Sequence, residues 1–138
     1  MQINSDWKFK TESELRVAMQ NFYNNLLGDE GAVKNCFSPD YVQVADGKTL
    51  NFEEFLKHLQ ILKRDTKEMH FEVLDAAYTQ STLADRHIVR IKKNDDQPMK
   101  VEVLAFYKIY NGKIIGVNEV SRLIQGEISD RDIGSRTE

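Results

Sequence analysis

The spacing of apolar residues changes once along this chain, and that change limits the possible folds more than any single motif. Up to about residue 68 the apolar positions recur at helical intervals, apart from one strand-like stretch at 40–50. From Met69 onward they alternate with a period of two. Leu15, Met19, Phe22 and Leu26 form one helical stripe, widened by Ala18 and Tyr23. Phe52, Phe55, Leu59 and Leu62 form another. The stretch "MHFEVLDAAYTQSTLADRHIVRIKK" then reads as two strands, "MKVEVLAFYKIY" as a third and "KIIGVNEVSRLI" as a fourth. The turns "NDDQP" and "NG" separate them. Helices followed by a run of hairpin-linked strands predict an α+β fold with an antiparallel sheet, not a βαβ arrangement.

Local signals place the early elements. Thr11 and Glu14 have capping-box spacing, which starts the first helix, and Gly28 ends it. A short second helix is expected over 32–37, ahead of Pro39. The stretch "DYVQVADGKTL" reads as a strand running into an Asp46-Gly47 turn. Asn51 caps a third helix, with Glu54 three residues on. No linker or internal repeat interrupts the 138 residues, so one domain is expected over 1–138, with its core at about 11–125. The closing "QGEISDRDIGSRTE" reads as a polar surface tail with frayed ends.

Composition narrows the function classes. A net charge of −3, from 19 basic and 22 acidic residues, gives no electrostatic footprint for nucleic acid or an anionic membrane. No apolar run reaches the roughly 18 residues of a membrane span, and "MQINSDWKFK" lacks the apolar centre of a signal peptide. A cytoplasmic protein is expected. The single cysteine, Cys36, reads as a buried thiol. Three histidines without metal-ligand spacing argue against a metal site, and no phosphate loop or nucleophile elbow implies a cofactor.

Two pieces of the chain, "FYNNLLGDEGAVKNCFSPDYV" and "NGKIIGVNEVSRL", resemble the nuclear transport factor 2-like superfamily in its SnoaL-like polyketide cyclase branch. The first resembles the family's helix, Gly-Asp step, short helix and entry to strand one. The second resembles its turn into the last strand. The resemblance covers about residues 11–125. It implies a curved antiparallel sheet wrapped around three helices, a cone-shaped cystatin-like roll, with an apolar pocket between concave face and first helix. It also implies a second copy of the chain on the convex face. The superfamily hosts isomerases, cyclases, dehydratases and non-catalytic binders, so it does not choose a chemistry.

In the last strand Glu119 shares parity with Ile115, Val117 and Leu123, and it stands seven residues after Gly112, where the SnoaL-like pattern has its catalytic carboxylate. Two readings are open. Glu119 is a pocket acid or base with its pKa raised by desolvation, or a structural glutamate paired with Arg86, Arg90 or Arg122. His87 shares the apolar parity of Val89 and Ile91 and is the expected partner of Glu119. Its alternative is a hydrogen-bonded core residue. Asn21 and Tyr23 on the first helix, Tyr41 and Gln43 on the first strand, and Ala105, Tyr107 and Val117 on later strands are the expected lining groups. His58 is expected in solvent, and His70 is expected to point away from Met69 and Phe71.

Departures from the relatives also inform. By resemblance, the catalytic positions of ketosteroid isomerases fall near Asn21, Ala45 or Asp46, and Ala105. Ala105 has no hydrogen to offer an oxyanion, which argues against that chemistry. Asn118, where an aromatic residue often precedes the acid, argues against polyketide cyclisation. The sequence therefore leads to a small-molecule-binding domain with an enclosed apolar pocket. Either it is an acid/base enzyme using Glu119 on an unidentified apolar molecule, or it is a dimeric ligand- or protein-binding module without chemistry.

Overall fold

A computed structural model describes residues 11–28, 30–79 and 81–137. Helix α1 spans Glu12–Leu26, α2 Glu30–Cys36 and α3 Phe52–Asp65. Strands are β1 Phe37–Ala45, β2 Lys48–Asn51, β3 Thr66–Thr79, β4 Thr82–Lys93, β5 Pro98–Tyr110 and β6 Lys113–Gln125. A single turn of 3-10 helix, Ile128–Asp130, follows. The six strands form one curved, unclosed sheet in the order β2-β1-β6-β5-β4-β3. The fold is α+β, with helices before the long strands, as the change of periodicity requires.

The caps form where the sequence places them. The Thr11 hydroxyl accepts from Glu14 N at 3.1 Å. Asn51 and Glu54 form a reciprocal capping box, with bonds of 2.9 and 3.0 Å. Asp46 and Gly47 adopt φ of +50° and +84°, the left-handed pair that a two-residue hairpin needs. That hairpin joins β1 to β2, a strand too short for the sequence reading to distinguish. The pairing of β1 with β6 is parallel, and the other pairings among the described strands are antiparallel. It brings the first strand beside the last and sets Ala45 against Glu119.

Leu15, Met19, Phe22 and Tyr23 of α1 and Phe55, Leu59 and Leu62 of α3 are buried against the concave face. Each such side chain contributes on the order of 1.5–3 kcal/mol when fully buried. Phe22 meets Tyr107 edge-on, and Phe37 meets Tyr41 in the same way. Cys36 is buried, and burial pushes its thiol pKa up.

The C-terminal segment corrects an expectation. Residues 126–137 are not a frayed surface tail, because Asp130, Ile133 and Ser135 are buried. Lys93 Nζ donates to Asp130 at 3.0 Å, and the same carboxylate accepts from Glu127 N at 2.9 Å. Polar composition misleads here because the segment docks through backbone carbonyls, one isoleucine and charged groups that find partners far away in sequence, which a charge count reads as solvated.

A candidate acid–base site on the concave face

Strand register arranges the concave side chains in rows. One row runs Gln43, Val117, Tyr107, Leu83. The next runs Ala45, Glu119, Ala105, Asp85, Ala76, and the third runs Ser121, Val103, His87, Val73. Glu119 and Asp85 therefore face the same side, separated only by the methyl group of Ala105. This is where the small residue at 105 matters. It supplies no hydrogen bond, but it leaves the two carboxyl groups within electrostatic reach of one another.

A cavity of about 100 Å³ lies between this face, α1, α3 and the C-terminal segment. Tyr23, Tyr41, Gln43, Tyr107, Val117, His87 and Glu119 all line it. Two expected lining residues do not. Asn21 sits on the neighbouring flank of α1, where its carbonyl accepts from Asn25 Nδ2 at 2.7 Å, away from the face that carries Tyr23. Ala105 is buried beneath the cavity and shapes it without lining it.

Among the described residues Glu119 forms no ion pair. Arg86 binds Asp75 and Glu102, Arg90 binds Glu72, and Arg122 binds Glu102, all on the opposite face. The structural-pair reading is overturned, because parity puts those arginines on the other side of the sheet. The expected bond to His87 is also absent. His87 lies in the next row, opposite Val103, and its Nδ1 stands 3.1 and 3.2 Å from the two oxygens of Asp85. Asp85 is the residue of the candidate site that the sequence reading missed. Its signal was present: "DRHIVRI" puts Asp85 on the apolar parity of His87, Val89 and Ile91.

Among the described residues no side chain hydrogen-bonds the Glu119 carboxyl group. Glu119 keeps a measure of accessible surface, yet its carboxyl is surrounded by protein, and the surroundings decide its titration. Desolvation, then the charges of Asp46 and Asp85, raise its pKa to about 8. Asp46 is held nearby through its bonds from Ser121 N, at 2.7 Å, and from Ser121 Oγ. At pH 7 Glu119 is therefore mostly a neutral carboxylic acid, able to donate a proton.

Three further polar features complete the site. Asp85 accepts from His87 Nδ1–H, which directs the other ring nitrogen away from that bond and leaves it without a protein partner among the described residues. Tyr23 Oη and Tyr107 Oη are 2.5 Å apart. Burial foremost holds both phenols well above their ordinary pKa, so they remain protonated. Tyr23 also packs on the His87 ring at 4.3 Å between centroids and stacks on Phe71 at 5.0 Å. Finally, Tyr41 donates to Gln43 Oε1 at 3.1 Å.

His58 corrects another expectation. It is buried, lines the cavity, and its Nδ1 donates to Arg136 O at 2.8 Å. Burial first, then the charges of Lys48 and Arg136, push its pKa down. The sequence reading put it in solvent because its partner comes from a segment 78 residues away. His70 is exposed, as its alternation predicts. Among the described residues no group of three or more His, Cys, Asp or Glu side chains is placed to hold a metal ion. No helix among them is long and apolar enough to cross a membrane.

No protein-family model matches the chain. Over 125 residues it is 25% identical to the uncharacterized protein C11D3.04c of Schizosaccharomyces pombe, an alignment spanning 91% of this chain and 95% of that one. Among solved structures it is similar to IdmH, a proposed polyketide cyclase from Streptomyces antibioticus. The TM-score there is 0.66 and the identity 18%, over 79% of this chain and 90% of the other. A proposed SnoaL-like polyketide cyclase from Jannaschia gives a TM-score of 0.65 at 8% identity, covering 83% of this chain and 90% of the other. The helices and the six-stranded curved sheet of this chain follow the arrangement of those structures, and the chain has the nuclear transport factor 2-like fold.

Proposed function

We propose that this protein is an acid–base enzyme acting on a small, neutral, carbonyl-bearing molecule. The observation that carries the reading is a carboxylic acid held protonated near neutral pH in the same apolar cavity as an imidazole oriented by a buried aspartate. Among the described residues no lysine or arginine lines the cavity, and two acidic groups stand on its sheet side, which disfavours an anionic substrate.

The division of labour follows from the protonation states. The free nitrogen of His87 accepts a proton from the carbon next to the carbonyl, breaking that C–H bond. The electron pair moves into the new C=C bond, and the carbonyl oxygen takes the Glu119 proton, giving an enol. Asp85 positions His87 and stabilises the imidazolium that forms. The Tyr23–Tyr107 pair supplies a second protonated group beside the imidazole. Returning the proton to a different atom gives isomerisation. The similarity to proposed polyketide cyclases is compatible with enol chemistry of this kind.

The test uses acetone, a ketone small enough for the cavity, in D₂O, with α-proton exchange followed by NMR. Exchange above the buffer rate is expected for the wild type, with a loss of about 10²- to 10⁴-fold in His87→Ala. The rate should fall as pH rises through about 8, because Glu119 then loses its proton. A wild-type rate equal to buffer overturns the enzymatic reading and favours a binding module without chemistry.

The convex face supports a proposed homodimer. Val42, Leu104, Phe106 and Val120 are each more than 40% exposed there, and together they make an apolar patch of the kind monomers seldom leave open.

A further inference from the structure

The cavity is small for the site it contains. A volume of about 100 Å³ is below the roughly 150 Å³ cavity that just holds benzene. It is well below the roughly 300–1,000 Å³ of ordinary small-molecule pockets. Its sheet wall is continuous β-ladder and its helical walls are packed core. The remaining wall is the C-terminal segment, which contributes Ile133 and Gly134.

That segment is held differently at its two ends. At its start, the buried Asp130 carboxylate binds Lys93 and the Glu127 amide. At its far end three bonds run to backbone carbonyls, from Gln43 Nε2 to Gly134 O at 3.1 Å, from Lys48 Nζ to Ser135 O at 3.0 Å and from His58 Nδ1 to Arg136 O at 2.8 Å. Arg136 adds a partly exposed ion pair to Asp65 of α3 at 3.6 Å. Gln43 and His58 themselves line the cavity. A ligand that enters competes with the segment for the same donors.

We infer that residues 133–137 are a gate that swings about the Asp130 anchor, and that Gly134 sets the space a ligand finds over Glu119. A side chain at 134 would start 3.9 Å from Glu119 Oε1, an ordinary contact, with no other atom of the described residues within 4 Å apart from those of its own chain neighbours. Gly134 is therefore a position where a larger residue fits the backbone and fills the cavity. The inference rests on the cavity being a ligand site, not on the chemistry proposed for it.

The test is stopped-flow fluorescence with N-phenyl-1-naphthylamine, a neutral apolar dye too large for a cavity of about 100 Å³. If the open form is on the order of 0.1–10% populated, wild-type association is slowed by that fraction and its rate levels off at high dye. Lys48→Ala removes one latch without touching the cavity lining, and it should raise the limiting rate about five- to tenfold. Gly134→Leu should reduce dye affinity at least about tenfold, with Tm at or above that of the wild type. Circular dichroism and Tm show whether each variant folds, and Lys48→Ala carries the test if Gly134→Leu does not. Equal, linear association rates in wild type and Lys48→Ala, or unchanged affinity in Gly134→Leu, overturn the gate. Dye binding to none of the proteins overturns the ligand-site reading as well, which separates the two failures.

Discussion

Glu102 and Glu119 are the same residue type on adjacent strands, and their surroundings move them in opposite directions. Glu102 lies on the convex face of β5, where hydrogen bonds from Arg86 and then Arg122 lower its pKa. Glu119 lies on the concave face of β6, where desolvation and two neighbouring carboxylates raise its pKa to about 8. Alternation along each strand is the cause of the different addresses. A charge paired at the surface adds modestly to stability. A carboxyl group enclosed without a cation costs stability when ionised and so retains its proton, which makes that proton available for chemistry.

The largest effect that can break this comparison is the pH dependence of Glu119→Gln. Folding raises the Glu119 pKa above its unfolded value of about 4.5, so the folded state holds its proton more tightly between pH 4.5 and 8. Native Glu119 then costs stability increasingly as pH rises through that window, up to about 5 kcal/mol by pH 9. Glu119→Gln should therefore stabilise the protein at pH 9 and be nearly neutral at pH 5, read from urea midpoints at both values. A destabilised variant at pH 9 would mean that Glu119 has a cationic partner.

The next effect concerns the other side of the sheet. Phe106→Arg puts a charge into the exposed apolar patch and should weaken the proposed dimer at least about 100-fold in sedimentation, with Tm of the monomer little changed. A wild-type monomer at micromolar concentration would remove the dimer proposal. Smaller still, Asp85→Asn takes one like charge away from Glu119, and its titration midpoint by carbon NMR should fall by less than about one pH unit. An upward move would show that Asp85 is not acting on Glu119 through its charge. The smallest effect is Glu102→Gln. Its pKa is lowered by folding, so it stabilises above the unfolded pKa and loses that contribution as pH falls through the folded one. The variant should be slightly less stable at pH 7, with the deficit shrinking towards pH 3. A deficit that grows on acidification would contradict the pairing with Arg86 and Arg122.

Much of the molecule can be read locally, because the forces involved act over a few residues. Thr11 and Asn51 announce their helices, Asp46-Gly47 and Asn111-Gly112 their turns, and period-two alternation by itself assigns Glu119 and His87 to the inner face. The same rule exposes Leu104 and Phe106 and buries Val103, Ala105 and Tyr107. Register is what a single strand does not contain. Only the assembled sheet decided that Glu119 faces Asp85 across Ala105, and that His87 belongs to Asp85. Tyr23 and Tyr107 share a hydrogen bond across 84 positions in sequence, and no local pattern encodes such a meeting. The C-terminal segment reads as solvent-exposed by its charges, yet it walls the cavity, because backbone carbonyls have no letter in a sequence. The sequence by itself determined which face each side chain would take, since pleating fixes parity locally. The tertiary structure alone decided which of them would meet, since pairing distances depend on strands brought together from across the chain.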